Sequence, residues 1–280
     1  MAIDKINGTA FSSLANINGV AKASIAKLNG QDALTDAPTA FFNVDAQESS
    51  SYSGSGTTWV DIAGGNNLTL TNGPVYTNNQ STSGVPSYFS FDGLNDYAQD
   101  GTSLTGWDST DSWTFEAWFN TTASLSSSSN IYTIYSKSAD NNSAGIVMGF
   151  RGGSTYKGLL FRFATTAGLI DILPTNDLRS TINDGNWHQL IFSKSAGSGA
   201  TPKLYLDGSS ESFSFSGPGT PYTLDKNYNN VQTLYISNFR GSTVFEFSGK
   251  IGAVRWYDSY FDSTQALSNY NAEKAEYGIT

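Results

Sequence analysis

What most constrains this chain is a series of short runs in which aromatic or aliphatic residues alternate with polar ones, each bounded by a turn signal. The clearest is Trp113-Thr114-Phe115-Glu116-Ala117-Trp118-Phe119-Asn120. Side chains point alternately to the two faces of a β-strand. Trp113, Phe115, Ala117 and Phe119 are therefore predicted to share one face, with Thr114, Glu116, Trp118 and Asn120 on the other. Similar runs predict strands at 40–44, 58–62, 67–70, 87–91, 131–136, 146–150, 159–164, 169–172, 187–194, 203–206, 233–237 and 250–256. Gly197-Ser198-Gly199 marks a hairpin between two of them. A helix is expected over 262–277, with Asp262 as N-cap, Gln265 three residues on and Gly278 as the stop. Many closely spaced strands, little helix and polar turns predict an all-β, two-sheet antiparallel jelly-roll sandwich with a short C-terminal helix and an extended N-terminal arm. Each Phe buried between the sheets contributes about 1.5–3 kcal/mol, so several such strands make a substantial core.

Composition narrows the partners. A net charge of −9 and the lack of any long basic run exclude a phosphate-binding surface, so no nucleic-acid partner is expected. The chain has no cysteine, which rules out disulfides and thiolate metal sites. No apolar run is long enough to span a bilayer, and residues 1–14 lack the apolar core of a secretory signal.

The first segment is internally repeated. Ile6-Asn7-Gly8, Ile17-Asn18-Gly19 and Leu28-Asn29-Gly30 recur every 11 residues. An 11-residue period can signal a right-handed helical supercoil. Three Asn-Gly pairs argue against it, because Gly costs about 1 kcal/mol in a helix and Asn-Gly favours turns. Short strands or single helical turns between the Asn-Gly corners are expected instead. Such small repeats bury little apolar surface alone. Residues 1–36 therefore read as an attachment or oligomerisation arm, and 37–280 as the main domain.

Five motifs carry a family resemblance: Tyr88-Phe89-Ser90-Phe91-Asp92-Gly93, Trp113-Thr114-Phe115-Glu116-Ala117-Trp118, Asp184-Gly185-Asn186-Trp187-His188, Lys203-Leu204-Tyr205-Leu206-Asp207-Gly208 and Lys250-Ile251-Gly252-Ala253-Val254-Arg255-Trp256. Together they resemble the laminin-G-like branch of the concanavalin A-like lectin/glucanase superfamily. The run from Leu267 to Lys274 and the Ile-Asn-Gly leader resemble segments of tailed-phage virion proteins of marine or cyanobacterial phages. That resemblance implies a virion component assembled in the host cytoplasm: a capsid decoration, head-fibre or tail-associated protein. Other virion proteins would be met through the arm, with homo-oligomers in the particle and no membrane insertion.

Candidate chemistry follows from the same runs. Glucanases of this superfamily carry Glu-x-Asp-x-x-Glu on a strand, giving paired carboxylates. Glu116 has Trp at 118 and Thr at 121, so no pair forms on its strand, and Glu246 has no acidic neighbour at i+2 or i+3. His188, the sole histidine, is expected to hydrogen-bond or pack near the Asp184-Gly185 turn. No catalytic residue and no required cofactor is expected. Asp92, Asn95 and Asp96 form an oxygen-rich turn of the kind that suits a structural Ca²⁺, or that bonds its own backbone. Sugars stack on flat aromatic faces, which makes Trp107, Trp118, Tyr222 and Tyr228 the carbohydrate-binding candidates, with Tyr76 also near a turn. The reading favoured is a non-enzymatic virion protein that displays a lectin-like sandwich to host-surface glycans. A glucanase-type enzyme and a purely architectural particle protein are the alternatives.

Overall fold

The computed structural model describes residues 38–80, 82–100, 110–138, 145–217, 224, 233–239 and 245–280, together with six two-residue strands before them. The chain divides into two compact units, Met1–Thr39 and Ala40–Thr280. In the first unit, β1 (Lys5–Ile6) pairs antiparallel with β2 (Thr9–Ala10), β3 (Asn16–Ile17) with β4 (Val20–Ala21), and β5 (Lys27–Leu28) with β6 (Gln31–Asp32). The pairings Ile6↔Thr9, Ile17↔Val20 and Leu28↔Gln31 keep the 11-residue period. Asn7, Gly8, Asn18, Gly19, Asn29 and Gly30 lie outside the described residues.

The second unit begins with β7 (Ala40–Asp45), β8 (Thr58–Trp59), β9 (Leu68–Thr71), β10 (Val75–Thr77), β11 (Tyr88–Asp92), β12 (Tyr97–Asp100), β13 (Trp113–Asn120) and β14 (Ile131–Ser138). It continues with β15 (Gly145–Arg151), β16 (Gly158–Thr165), β17 (Gly168–Pro174), β18 (Trp187–Lys194), β19 (Lys203–Leu206), β20 (Ser209–Glu211), β21 (Phe213–Ser216), β22 (Leu234–Ile236) and β23 (Ser248–Tyr257). Short helices α1 (Gly153–Tyr156) and α2 (Arg179–Ile182) precede α3 (Ser263–Glu273). An eight-stranded antiparallel sheet runs β10-β11-β23-β13-β18-β19-β20, with β7 also on β23. The nine-stranded sheet opposite runs β21-β17-β16-β15-β14-β22-β12-β9-β8. Strands β10, β12, β20 and β21, of three or four residues each, were not expected from the sequence. Runs that short carry too few alternating residues to register.

Aromatic residues join the two sheets. Trp256 of β23 packs on Phe115 of β13 at 5.3 Å and on Tyr135 of β14 at 5.2 Å between ring centroids. Phe161 of β16 stacks on Phe192 of β18 at 4.4 Å. Each such pair adds roughly 0.5–1.5 kcal/mol beyond area burial. A β-bulge between Thr133 and Tyr135 turns both Ile134 and Tyr135 into this core.

Every residue of β13 is buried, on both faces. The second face is closed by the C-terminal segment and by a cluster of buried charge. The Arg255 guanidinium bonds Asp45 of β7 at 2.5 Å, Glu116 of β13 at 2.9 Å and Glu273 of α3 at 2.8 Å. Glu116, fully buried, also accepts from the Tyr257 hydroxyl at 2.6 Å and the Gln189 amide at 2.9 Å. Gln189 in turn donates to Asn269 of α3 at 2.5 Å. Thus one guanidinium holds three carboxylates taken from two strands and a helix.

The helix starts as the sequence predicts. Asp262 accepts from the amides of Thr264 and Gln265, and Gln265 returns a bond to the Asp262 amide, a full capping box. It stops at Glu273, short of the expected 277, and turns carry the chain on to Gly278. The early stop delivers Tyr277 flat onto Trp118, with ring centroids 3.9 Å apart and planes 5° from parallel. Gly252 makes room for it, because a Cβ there would lie 2.7 Å from the Tyr277 ring.

Removing the cation from this cluster leaves the buried Asp45 and Glu116, and the partly buried Glu273, without their shared partner. Arg255→Met is expected to cost about 3–5 kcal/mol in urea unfolding, and a loss under 1 kcal/mol would refute the assigned role (about one surface ion pair). Burial, opposed by Arg255 and reinforced by Glu116 and Asp45, pushes the Glu273 carboxyl up to about 8. Because its folded pKa lies above the ordinary 4.5, the folded protein holds this proton more tightly than the unfolded chain. The stability it contributes is complete below that ordinary value and is lost as pH rises through the folded one. Glu273→Gln should therefore flatten the decline of unfolding free energy over this window, whereas an unaltered slope would contradict the assignment.

Candidate carbohydrate-binding surface

While α3 and the tail lie over the eight-stranded sheet, the outer face of the nine-stranded sheet carries a groove. Alternation fixes which side chains reach it. Ile146, Met148 and Phe150 of β15 point to the core, as do Leu159, Phe161 and Phe163 of β16. Val147 and Arg151, Leu160 and Arg162, and Leu169 of β17 therefore point outward. With Ile131, Thr133, Phe239 and Phe245 they line a groove of about 270 Å³. Phe239 and Phe245 meet edge-to-face at 5.7 Å and wall one side. The segment after Phe245 is tied to β14, with the Thr133 amide donating to the Phe245 carbonyl at 3.0 Å.

Two arginines give the groove its polarity. Arg162 forms a two-pronged pair with Asp171, at 2.6 and 2.8 Å, which raises its pKa through those bonds despite burial. Arg151 donates through Nε to the Ser128 carbonyl at 3.0 Å, and its guanidinium lies 3.7 Å over the Tyr156 ring. Neither arginine stood out in the sequence. Outward positions on alternating strands look alike until the sheet order puts them side by side.

A second concavity, about 540 Å³, opens where β18 begins. Asn120, Asn186, Trp187, His188, Asp207 and Lys250 are among its walls. The Trp187 ring sits between Tyr277 at 5.0 Å and Tyr88 at 5.7 Å, and the Lys250 ammonium lies 4.8 Å over Tyr88. His188 is clamped: Nδ1 lies 2.8 Å from Asp207 and Nε2 3.1 Å from Asp184. Burial alone would lower the imidazole pKa, but the bonds and charges of Asp207 and Asp184 outweigh it and the net shift is upward. The hydrogen bond expected near the Asp184-Gly185 turn is thus present, doubled by Asp207.

The sequence-predicted sugar contacts fall differently. Trp118 has no exposed surface, sits under Tyr277 and donates its indole N–H to Glu273 at 2.6 Å. A ring capped by another ring has no face left for a sugar, so the Trp118 expectation is corrected. Trp107, Tyr222 and Tyr228 lie outside the described residues. Tyr76 packs against Tyr52 and Phe89, and its hydroxyl donates to the Ala46 carbonyl.

Asp92, Asn95 and Asp96 do come together at one turn. Asp92 accepts from the amides of Leu94 and Asn95 at 2.8 and 3.2 Å, and Asp96 accepts from the Asp92 amide at 3.2 Å. The Asn95 carbonyl takes the Asn72 side chain at 2.8 Å. These oxygens bond their own turn. Burial raises the Asp96 pKa, and among the described residues no group of three or more His, Cys, Asp or Glu is arranged to hold a metal ion.

Known structures share this architecture. The binding domain of Paraclostridial Mosquitocidal Protein 1 superposes with a TM-score of 0.60 at 11% identity, over 86% of this chain and 55% of that one. The receptor-binding domain of botulinum neurotoxin type G gives 0.55 at 12%, over 84% and 51%. Domain 4 of a GH43 extracellular arabinanase from Geobacillus stearothermophilus, solved with arabinotriose, gives 0.53 at 14%, over 83% and 98%. This chain spans about half the length of the toxin domains. At such identities the likeness is one of fold. No curated protein sequence matches the chain. A family model described as the concanavalin A-like lectin/glucanases superfamily, Laminin_G_3, matches residues 92–266, more than half of the sequence. On that match, with the lectin-like sandwich just described, the chain belongs to the Laminin_G_3 family of this superfamily.

Proposed function

We propose that this protein is a non-enzymatic glycan-binding module that uses the groove on the outer face of the nine-stranded sheet. The observation that carries this reading is the contrast between the two outer faces. One is closed by α3, Tyr277 and the Arg255 cluster, while the other keeps an aromatic-walled groove with arginines at its edge. A sugar needs such a combination of flat apolar contact and a few placed hydrogen-bonding groups. The complexes of similarly folded domains, one with arabinotriose and one described as a botulinum neurotoxin binding domain with SialylT, support the same reading.

An enzyme of the glucanase type is the second reading, and one site favours examining it. Glu48 and Glu276 line a polar cleft of about 550 Å³ with Gln47 and Gln80. The Glu276 pKa is raised by burial, then by Asp45 and Glu48 against the pull of Arg255. Both glutamates are solvent-exposed, however, and both amides are held in place: Gln80 donates to the Ala46 and Tyr52 carbonyls, and Gln47 accepts from the Ser87 amide. The cleft has no aromatic platform. On the strand where glucanases carry their acid pair, Glu116 is enclosed by Arg255, Tyr257 and Gln189.

The setting we propose is a tailed-phage particle. The repeated hairpins of residues 1–36 would join the sandwich to other virion proteins or to further copies of itself, and many copies would raise weak glycan contacts by about 10²–10⁴ in avidity. This rests on the arm's repeat and on its resemblance to virion proteins. Antibody against the sandwich should label intact particles; labelling confined to lysate would contradict it.

Phe245→Ala is expected to weaken glycan binding about tenfold by calorimetry, the loss of one aromatic platform, with the melting temperature little changed. Undiminished binding would move the site elsewhere. Reducing-end assays on the same glycans should show no cleavage by the wild type. Turnover abolished by Glu48→Gln or Glu276→Gln would establish an enzyme instead. Because Asp92 and Asp96 already bond their own turn, calcium or a chelator should leave both binding and melting unchanged.

A further inference from the structure

We infer that the groove on the nine-stranded sheet selects a carboxylate-bearing sugar, such as a uronic acid unit, with Arg151 as the residue that receives the carboxylate. This inference rests on the glycan-binding reading and names the class of glycan.

The chain carries 24 acidic and 15 basic residues, so an acidic ligand is repelled by most of its surface. The groove runs against that trend. Its lining includes two arginines and no carboxylate. Arg162 is neutralised by its paired contact with Asp171. Arg151 is held but not neutralised among the described residues: its Nε bonds a carbonyl, its face rests on Tyr156, and no carboxylate of those residues contacts it. Among them, neither terminal nitrogen of this positioned guanidinium has a hydrogen-bond partner. A planar fork fixed in this way matches a carboxylate in two-pronged geometry and loses little freedom on binding one.

A second, independent observation lies beside it. Thr133 is 1% exposed and lines the groove, yet its hydroxyl has no hydrogen-bond partner. Buried hydroxyls are nearly always satisfied, and one left open beside a cavity calls for an explanation. Register puts it near Arg151: on β15, Arg151 pairs with Ile131, and Gly149, two residues back, pairs with Thr133. Arg151 and Thr133 therefore serve the same end of the groove. Val147, Leu160 and Leu169 supply apolar surface along it. A sugar ring with its apolar face on these residues would have a carboxylate at Arg151 and a ring or hydroxyl oxygen at Thr133. The volume of about 270 Å³ suits one or two sugar units, not a long chain lying in a trench.

The test compares oligoglucuronate, a sulfated oligosaccharide and neutral oligoglucose of equal length against the full chain by calorimetry at neutral pH. Oligoglucuronate should bind about tenfold or more tightly than oligoglucose, with the preference shrinking as salt rises. Arg151→Gln should remove the preference, bringing the ratio of oligoglucuronate to oligoglucose affinity down to about one. Arg151→Lys, which keeps the charge but loses the fork, should fall between. Thr133→Val should weaken oligoglucuronate about threefold to tenfold. If neutral sugar binds as well as the acidic one, or Arg151→Gln leaves the preference intact, this inference fails while the glycan-binding reading stands. Tighter binding of the sulfated sugar overturns the carboxylate assignment alone. If none of the glycans binds, both fail.

Discussion

One guanidinium organises the architecture. Arg255 sits at the meeting point of β7, β13, β23 and α3 and neutralises carboxylates from three of them. Buried charge is costly unless it is paired and hydrogen-bonded. Here every carboxylate accepts at least one further hydrogen bond in addition to those from Arg255: the Gln47 amide donates to Asp45, Tyr257 and Gln189 donate to Glu116, and the Trp118 indole donates to Glu273. The cluster also discriminates between arrangements. A helix docked out of register would leave Glu116 and Asp45 with their cation but put Glu273 against apolar surface. The polar network thus specifies where α3 sits, and the Trp118–Tyr277 stack completes the seal.

Sealing one sheet decides what the other can do. A two-layer sandwich has two outer faces, and both could in principle serve a ligand. In this protein the eight-stranded sheet carries a helix and a folded tail, so strands β13, β18 and β23 are buried on both sides. On the outer face of the nine-stranded sheet the Phe239–Phe245 pair walls a groove where a flat sheet would offer none. The acidic residue best placed by sequence for chemistry, Glu116, is enclosed by Arg255, Tyr257 and Gln189 and holds the fold together.

Much of the fold was legible because strand alternation is a local signal. Residues 113–120, 187–194 and 203–206 form strands with the expected bounds. The capping box at Asp262 and Gln265 was readable for the same reason. What escaped was set by partners distant in sequence. Trp118 looks like a free aromatic on a polar face until Tyr277 arrives on top of it. Glu116 meets its cation 139 residues away. The groove was illegible in the same way, since Thr133, Arg151 and Phe245 come together only through the pairing of β14 with β15 and the return of the chain before β23. The oxygen-rich turn at Asp92 could be read either as a cation site or as a self-bonded turn, and its backbone amides favour the turn.

On the proposed reading, ligand meets this molecule at the groove of the nine-stranded sheet and not at the Trp187 concavity. Hydroxyl-radical footprinting with and without saturating oligosaccharide reads this directly, because aromatic and aliphatic side chains report on their own exposure. Phe245 and Leu169 should become protected while Trp187 and Tyr88 react as before. Protection of Trp187 and Tyr88, with the groove residues unaffected, would contradict it.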